Sequence, residues 1–426
     1  MKLKEISSNH LNEKYFYMKH PSGLNIYLYP KKDYNSSYAV LGVNYGSIDA
    51  TFKTSNNKII TVPDGIAHYL EHKLFEGEKG SAFDLYAKTG ASANAYTSFD
   101  KTAYLFSCSD KFQESLEILL DFVQSPYFTD ENVEKERGII AQEIKMYEDS
   151  PDWRVYFNLL TAMYKNHPIN LDIAGTVESI SRITPEYLYE CYKAFYNLNN
   201  MSLCISGNID TDDTMAIIDK HLKYSEPFST ERIIPQEPRE VVKKEVSQSF
   251  DIGTSVFQLG FKGNLETARA SEKDLACTNI ILTALASKAS PMYARLLNLG
   301  LINTSSFDCE YMEAPGMAAA IFAGESSDPY KAAQVIKEEI EKIHASGIDE
   351  ETLNWTKKSL YGENIGGFNS VNGIANSLLD FSFAEREIFK YMDCIFKVSL
   401  DEVNAKLKEI LDVEASSLSV VKPNEK

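Results

Sequence analysis

Two histidines and a glutamate are spaced so that they could bind and use a metal ion. His68, Glu71 and His72 occur in the order H-x-x-E-H. On a helix each residue advances by about 100°, so the three side chains would share one face. Two imidazoles one turn apart can bind one tetrahedral zinc ion, and a carboxylate between them can take a proton from a water molecule on the metal. We therefore predict a zinc-binding helix near residues 64–76, with Glu71 as a general base.

The opposite face of this predicted helix is apolar. Ala67, Leu70 and Leu74 fall at roughly 200–260° from His68, where they can pack on a core. Histidine is scarce, with 7 in 426 residues, so a chance match to the motif carries only a modest risk. The alternative interpretation is a solvated, charged helix face that carries two incidental histidines.

A second acidic segment could supply the third metal ligand. Glu136 and Glu143 are spaced so that they share a helix face with Val133 and Ile140. A carboxylate on an apolar face is costly unless it is paired or bound to a metal. Either glutamate is a candidate, and a solvated face is the alternative for each. Surface positions are expected for three neighbouring glutamates, Glu131, Glu134 and Glu148.

These segments resemble the insulinase/pitrilysin family of zinc metallopeptidases, which includes the mitochondrial processing peptidases and many short bacterial proteins. Residues 62–77 resemble its active-site segment, residues 90–104 its next conserved block, and residues 136–143 its third. The H-x-x-E-H order is the inverzincin arrangement. The resemblance extends over the whole chain in length and layout, with specific motifs in residues 62–143 and weak ones beyond about residue 210.

The resemblance implies a role for each candidate residue. It implies zinc as the cofactor, with three ligands, His68, His72 and Glu143. It implies Glu71 as the general base and Glu136 as a residue that supports the site from outside the ligand set. It also implies that the backbone of a peptide substrate is held by the strand that carries Ala93, Asn94 and Ala95.

The residues around Asn94 predict a strand pair without reference to the family. Small and larger residues alternate there, and Thr102–Phe106 follows with a strand composition. A strand with small side chains at a sheet edge lets another backbone approach and can accept a peptide as an added strand. The alternative is an ordinary buried strand.

The chain has the pattern of a divergent duplication. Ser202–Gly207 closes the first half, and Ser417–Val421 closes the second in the same way. We predict an N-terminal zinc-binding domain, a linker and a homologous C-terminal domain without metal ligands, at residues 1–223, 224–248 and 249–426. Strands and helices without regular alternation predict an α+β fold. We expect two homologous α/β-sandwich halves, each a mainly antiparallel sheet with helices packed on it, and the resemblance implies that they face each other around a cleft.

The individual elements follow from the apolar periodicity. Helices are predicted near residues 64–76, 111–124, 130–165, 185–196, 211–222, 275–287, 328–345 and 349–364. Strands are predicted at residues 15–18, 25–29, 37–45, 202–207, 256–261, 317–322 and 417–421. The end of the helix near 275–287 is in register with the H-x-x-E-H helix of the first half and has no metal ligand there.

Composition excludes several classes of protein. A length of 426 residues suggests two or three domains, and a net charge of −18 argues against binding to nucleic acid. The N-terminus is polar and no segment reaches the ~18 apolar residues of a membrane span, so neither a signal peptide nor a membrane span is expected. Six scattered cysteines without C-x-x-C favour free thiols in a reducing cytoplasm.

One departure from the family pattern bears on partners. In active single-chain relatives, the second half supplies an Arg and a Tyr, around a Gly-Leu pair, that hold the substrate and the oxyanion. Aligning Gly300–Leu301 places Leu296 and Asn303 at these positions, and Arg295 is one residue out of register. In two-chain relatives, one chain binds the zinc and a homologous chain supplies the Arg/Tyr pair. We therefore expect a heterodimer with a homologue that lacks H-x-x-E-H. The alternative is a homodimer or a weakly active monomer.

The function predicted from the sequence is a zinc-dependent endopeptidase that acts on unfolded peptides. The main alternative is a catalytically silent subunit that binds peptide or shapes a complex, which the missing Arg/Tyr pair favours and the intact metal set opposes. A structural metal protein is less well supported, because a structural zinc site usually has four protein ligands and no base.

Overall fold

The computed structural model describes residues 3–223, 225–263 and 269–424. Tyr224, the first residue of the predicted linker, lies outside this described part. The strands are β1 (Lys4–Ser8), β2 (Glu13–Lys19), β3 (Asn25–Pro30), β4 (Ser37–Val43), β5 (Thr51–Lys53), β6 (Ile59–Thr61), β7 (Glu76–Gly77), β8 (Gly80–Ser81), β9 (Ser92–Thr97), β10 (Thr102–Cys108), β11 (Met201–Gly207), β12 (Glu231–Arg232), β13 (Glu245–Phe250), β14 (Ser255–Lys262), β15 (Asp308–Ala314), β16 (Met317–Ser326) and β17 (Ser416–Pro423).

The α-helices connect these strands. They are α1 (Ile66–Leu74), α2 (Ala82–Thr89), α3 (Phe112–Val123), α4 (Asp130–Glu148), α5 (Pro151–Met163), α6 (Val177–Ile180), α7 (Pro185–Phe195), α8 (Thr211–His221), α9 (Glu272–Ala286), α10 (Pro291–Asn298), α11 (Pro329–Ser346), α12 (Glu350–Gly367), α13 (Val371–Phe383), α14 (Ile388–Lys397) and α15 (Leu400–Leu407).

Two large sheets organise the chain. A seven-stranded sheet has the order β1-β2-β3-β11-β4-β10-β9, and a five-stranded sheet has the order β13-β17-β14-β16-β15. Within them only β3 with β11 and β13 with β17 pair in parallel. β4 and β11 are buried along their whole length, so the first sheet has core on both faces. The predicted α+β fold of mainly antiparallel sheets covered by helices is confirmed.

The two sheets repeat one another strand by strand. The order β3-β11-β4-β10-β9 has the same pairing directions as β13-β17-β14-β16-β15. The register agrees as well, because Gly42 of β4 pairs with Ser202, and Gly260 of β14 pairs with Ser417. The duplication inferred from the closing strands is therefore visible at the level of single residues.

The chain forms two compact units that interleave along the sequence. The first consists of the described residues within Met1–Ile144, Asp172–Ile233 and Ile365–Phe389. The second consists of those within Lys145–Leu171, Ile234–Asn364 and Lys390–Lys426. The predicted boundaries, at residues 1–223, 224–248 and 249–426, refer to the repeat in the sequence and stay a prediction.

The interleaving arises because each half of the sequence contributes one helix to the other unit. α5 packs on β13, β14 and β17, and α13 packs on β3, β4 and β11. A glycine lies under each helix. A Cβ atom at Gly42 would come within 2.5 Å of Leu379, and one at Gly260 within 2.4 Å of Met163. The absence of a side chain at these two equivalent positions lets both helices approach their sheets closely.

Some elements differ from the predictions. The single helix predicted near 130–165 is wrong, since α4 ends at Glu148 and α5 begins at Pro151. Ser150 caps α5 by accepting a hydrogen bond from the Trp153 N–H, and Pro151 occupies its first turn. The segment predicted as linker contains β12 and most of β13. The sequence patterns also did not predict the helices α2, α6, α10, α13, α14 and α15 or the strands β1, β5, β6, β7, β8 and β15.

Candidate metal centre

The H-x-x-E-H segment forms α1. The helix starts after Gly65, whose φ of 87° is left-handed, and a Cβ atom there would come within 2.4 Å of the Ala174 carbonyl oxygen. Its predicted apolar face is confirmed, because Ala67, Leu70 and Leu74 are all buried. The other face is not freely solvated, since His68 and Glu71 are each only 8% exposed. This burial contradicts the alternative of a solvated, charged face.

α1 and α4 together bring the predicted metal ligands into one cluster. Nε2 of His68 lies 3.6 Å from Oε1 of Glu143, and Nε2 of His72 lies 3.4 Å from Oε2 of Glu143. One donor atom from each residue lies within 4.8 Å of the other two. Zinc–ligand bonds of about 2.0–2.1 Å in a tetrahedron place neighbouring donor atoms about 3.3–3.4 Å apart. The two imidazoles and the carboxylate therefore suit a zinc ion.

Glu136 lies beside the cluster rather than within it. Its Oε1 is 3.0 Å from Nδ1 of His72, and the residue is only 6% exposed. Metal-bound histidines usually donate their second ring N–H to a carboxylate, which fixes the tautomer and the ring orientation. His68 has no such support, because its buried Nδ1 has no hydrogen-bond partner in the described part of the chain. The geometry thus distinguishes the two glutamates that the spacing alone left equivalent.

Glu71 is held next to the histidines by the edge strand of the sheet. The Thr97 hydroxyl donates a hydrogen bond of 2.7 Å to Oε2 of Glu71. Burial raises the pKa of the Glu71 carboxyl, and the neighbouring His68 and the Thr97 hydrogen bond offset part of that shift. A carboxylate with a raised pKa is a better proton acceptor near neutral pH than an ordinary glutamate.

The electrostatics of the cluster favour a bound cation. Burial lowers the pKa of His72, but hydrogen bonds with Glu136 and Glu143 and the charge of Glu71 outweigh it and raise the pKa to about 10. Three carboxylates surround the imidazoles, so the cluster has an excess of negative charge. A divalent metal ion can neutralise this charge in place of a proton.

The predicted peptide-binding strand lies against this cluster. Ala93, Asn94 and Ala95 belong to β9, the outermost strand of its sheet among the described residues. Asn94 is exposed and the two alanines are partly exposed, so the alternative of an ordinary buried strand is not observed. β9 also packs on α1. The structure therefore brings a strand edge next to Glu71.

The residues aligned with the family's Arg/Tyr pair are engaged elsewhere. Leu296 is fully buried in α10. Arg295 forms ion pairs with Glu338 and Glu339 of α11, at 2.6 and 2.7 Å. The Asn303 side chain accepts hydrogen bonds from the backbone N–H groups of the turn at residues 305–306. None of these three side chains restores the expected Arg/Tyr pair.

One residue of the site was not predicted. Lys73 follows the ligand candidate His72 directly, yet its side chain is 0% exposed. Its Nζ lies 2.5 Å from Glu76 and 3.6 Å from Glu136. The helical periodicity places this position between the polar and apolar faces of α1, which gives no signal for a buried charge.

Two global expectations can be compared with the structure. None of the helices in the described part of the chain combines the length and apolar composition that a membrane crossing needs. All six cysteines are free thiols.

Known proteins resemble the chain over its full length. A model of the insulinase family, peptidase family M16, matches residues 29–177, and one of the peptidase M16 inactive domain matches residues 182–360. The zinc protease YmfH of Bacillus subtilis is 38% identical over 99% of both chains. The crystal structure of an M16-like peptidase from Alicyclobacillus acidocaldarius has a TM-score of 0.92 at 33% identity and covers 100% of this chain and 99% of that one.

A more distant relative is similar to part of the chain only. A Schizosaccharomyces pombe protein, named as subunit beta of the mitochondrial processing peptidase, is 30% identical over 47% of this chain and 43% of its own length.

Proposed function

The chain belongs to the insulinase family, peptidase family M16, with zinc as its cofactor, and from this premise we propose that it is a zinc-dependent endopeptidase that hydrolyses unfolded peptides. One observation carries the proposal. His68, His72 and Glu143 place three zinc donors together, and the buried carboxylate of Glu71 lies beside them without being one of the three. A catalytic zinc site keeps a position open beyond its three protein ligands, whereas a structural site closes it.

Each residue of the site then has a distinct task. His68, His72 and Glu143 hold the zinc, which when bound supplies a Lewis acid for the scissile carbonyl and lowers the pKa of water. Glu71 takes the proton of the attacking water and later gives it to the leaving amine. Glu136 fixes the ring of His72 through Nδ1.

The substrate is proposed to bind along β9. An extended peptide would pair with the backbone at Ala93, Asn94 and Ala95 as an added strand. The Thr97 hydroxyl, at the end of the same strand, holds Glu71 in place. Substrate binding and proton transfer would thus share one edge of the sheet.

Cleavage of an unfolded peptide by the purified, zinc-loaded chain tests this proposal. Glu71→Gln should retain zinc and lower the turnover rate by roughly 10²–10⁴-fold, the usual contribution of a general base. Glu148→Gln, which changes an exposed glutamate on α4, is the matched control and should leave both zinc and activity unchanged. A Glu71→Gln protein with parental activity would rule out the assigned base.

A second candidate function is a peptide-binding subunit that is weak or silent alone. Two observations favour it. Arg295 is engaged with Glu338 and Glu339, and Leu296 and Asn303 occupy the positions where active single-chain relatives have the Arg and the Tyr. We propose that a homologous chain without H-x-x-E-H supplies the missing residues in a heterodimer, and a homodimer is the alternative. A relative named as one subunit of a processing peptidase supports this proposal, and free cysteines support a cytoplasmic location.

Co-expression with such a homologue tests the need for a partner. The size of the complex and the rate of peptide cleavage are measured for each chain alone and for the two together. The heterodimer predicts a larger species and activity that appears only with both chains. Cleavage by this chain alone at rates on the order of 1 s⁻¹, a typical lower figure for enzymes, would show that no partner is required.

A further inference from the structure

A lysine is buried behind the metal centre. The side chain of Lys73 is 0% exposed, although the ammonium group is among the most costly groups to remove from water. Such a group persists in a protein interior only when carboxylates surround it closely. Glu76 provides one of them at 2.5 Å, and Glu136 provides the other at 3.6 Å.

Glu136 lies between this lysine and a zinc ligand. Its Oε1 is 3.0 Å from Nδ1 of His72, and its Oε2 is 3.6 Å from Nζ of Lys73. Each oxygen of the carboxylate therefore has a separate cationic or hydrogen-bonding partner. Rotation of the carboxylate about its last bond would break both contacts together, so Lys73 opposes any movement that would release His72.

We propose that Lys73 is a positioning residue of the metal centre, which acts on His72 through Glu136. It holds the carboxylate so that Oε1 stays on Nδ1 of the imidazole and Nε2 stays directed towards Glu143. The proposal rests on the zinc site proposed above. Removal of a residue that holds a metal ligand, without binding the metal itself, commonly lowers metal affinity by roughly 10–100-fold.

The competing explanation is that Lys73 only balances the charge of Glu76. Glu76 has a second partner, because Lys135 of α4 lies 3.2 Å from its Oε1. Lys135 shares Glu76 with Lys73, but its side chain is 68% exposed and Glu136 is not among its ion-pair partners. It is therefore a matched control that changes the charge around Glu76 and leaves the contacts of Glu136 intact.

Zinc affinity, measured on the full-length protein by competition with a chromogenic chelator, tests the proposal without reference to activity. Lys73→Met should weaken zinc binding by ~10-fold, the lower end of the range for residues that hold a metal ligand. Glu136→Gln should weaken it at least as much. The Lys73→Met, Glu136→Gln double variant should bind zinc about as well as Glu136→Gln alone, because the lysine acts through that carboxylate. Lys135→Met should match the parent.

Two results would overturn the proposal: parental zinc affinity in Lys73→Met, or losses that add in the double variant. Denaturant unfolding of the zinc-free proteins shows whether Lys73→Met is folded. If it is not, Lys73→Gln replaces it, because the amide removes the charge and keeps a polar group at this buried position. The same coupling to Glu136→Gln is then required. A parent that binds no zinc, or a His72→Ala variant that keeps it, refutes the zinc site itself rather than the role of Lys73.

Discussion

The two units have the same five-strand core and use it differently. In the first, α1 carries His68 and His72 beside the sheet. In the second, the first long helix after the equivalent strand is α9, which buries Ile280, Ile281 and Leu285 and carries no histidine. The only cluster of three potential metal donors found in the described residues is that of the first unit. A common scaffold therefore positions the helices, and a few side chains on them determine whether a metal can bind.

α4, the second helix of the site, also has a counterpart in the second unit that carries different side chains. α4 starts at Asp130 and α12 at Glu350. Residues 130–142 have the same burial as residues 350–362 at equal distances from these starts, apart from Lys135 and Trp355. Buried Val133 and Ile140 correspond in this way to buried Leu353 and Leu360, and Glu136 to Thr356. The Thr356 hydroxyl donates to the Thr352 carbonyl in its own helix, at 2.7 Å, and needs no external partner. The buried position is retained, and only the first unit fills it with a charge.

Buried charge in the second unit has a structural role instead. Lys262, at the end of β14, and Glu237 form an ion pair of 2.7 Å with side chains that are 0% and 1% exposed. Glu237 also accepts the backbone N–H groups of residues 165–167, which follow α5. The pair thus connects the end of α5 to the sheet that α5 covers.

Removal of the lysine from that pair is expected to have the largest effect on stability. Lys262→Met leaves the buried Glu237 carboxylate without a cation to balance its charge, which should lower the free energy of unfolding by about 3–5 kcal/mol. Denaturant unfolding at neutral pH measures the loss, and Lys397→Met, whose side chain is 74% exposed, is the control. A change below about 1 kcal/mol, the range of exposed pairs, would contradict a structural role.

The same pair predicts a dependence of stability on pH. Burial opposes ionisation of Glu237, but the backbone N–H groups and Lys262 outweigh it and lower its pKa. A lowered pKa in the folded state contributes stability above the ordinary glutamate pKa, and this contribution is lost as the pH falls through the folded value. Glu237→Gln should therefore flatten the acid limb of the stability profile relative to the parent, and an unchanged acid limb would refute the assignment.

The glycines beneath α13 and α5 provide a test of the repeat with an effect of intermediate size. Gly42→Ala and Gly260→Ala each insert a methyl group into a closed contact, so each should lower the free energy of unfolding by about 1–3 kcal/mol. Gly138→Ala, in the middle of α4 with nothing within 4 Å of the added atom, should instead be neutral or stabilising. A large loss at only one of the two sheet glycines would show that the helices are not packed equivalently.

Substitutions in α4 and in its counterpart α12 test whether only the first unit supports a metal. The loss of the Glu136 charge in Glu136→Gln should weaken zinc binding or activity by roughly 10–100-fold. Glu363→Gln, at the position of α12 that corresponds to Glu143, changes an exposed residue and should alter neither quantity. Parental zinc affinity and activity in Glu136→Gln would show that this buried glutamate does not support the metal centre.

Local patterns in the sequence predicted most of the site. The H-x-x-E-H spacing placed three side chains on α1, and the apolar neighbours of Glu136 indicated its burial correctly. The choice between Glu136 and Glu143 as ligand came from family resemblance, because residues seven apart share a face and periodicity cannot separate them. In the structure, Glu143 lies near Nε2 of both His68 and His72, whereas Glu136 pairs with Nδ1 of His72.

Features that depend on long-range packing were not predictable in this way. Periodicity shows which face of α5 or α13 is apolar but not which sheet that face covers. The packing of each helix on the sheet of the other half of the sequence was therefore not predicted. The break before α5 had a local signal in Ser150 and Pro151, which the continuous apolar pattern outweighed. Lys73 had none, because a buried lysine depends on two carboxylates that only the fold brings to it.

The zinc content of the purified chain and its variants tests the central claim most directly. Metal analysis should find about one zinc ion per parent chain, as expected for three donors of zinc type on two helices. His72→Ala should lose the metal, whereas Glu71→Gln should keep it and lose activity, because the proposal assigns Glu71 as base and not as ligand. Zinc that remains bound in a His68→Ala, His72→Ala double variant would contradict the assignment of the site to α1 and α4.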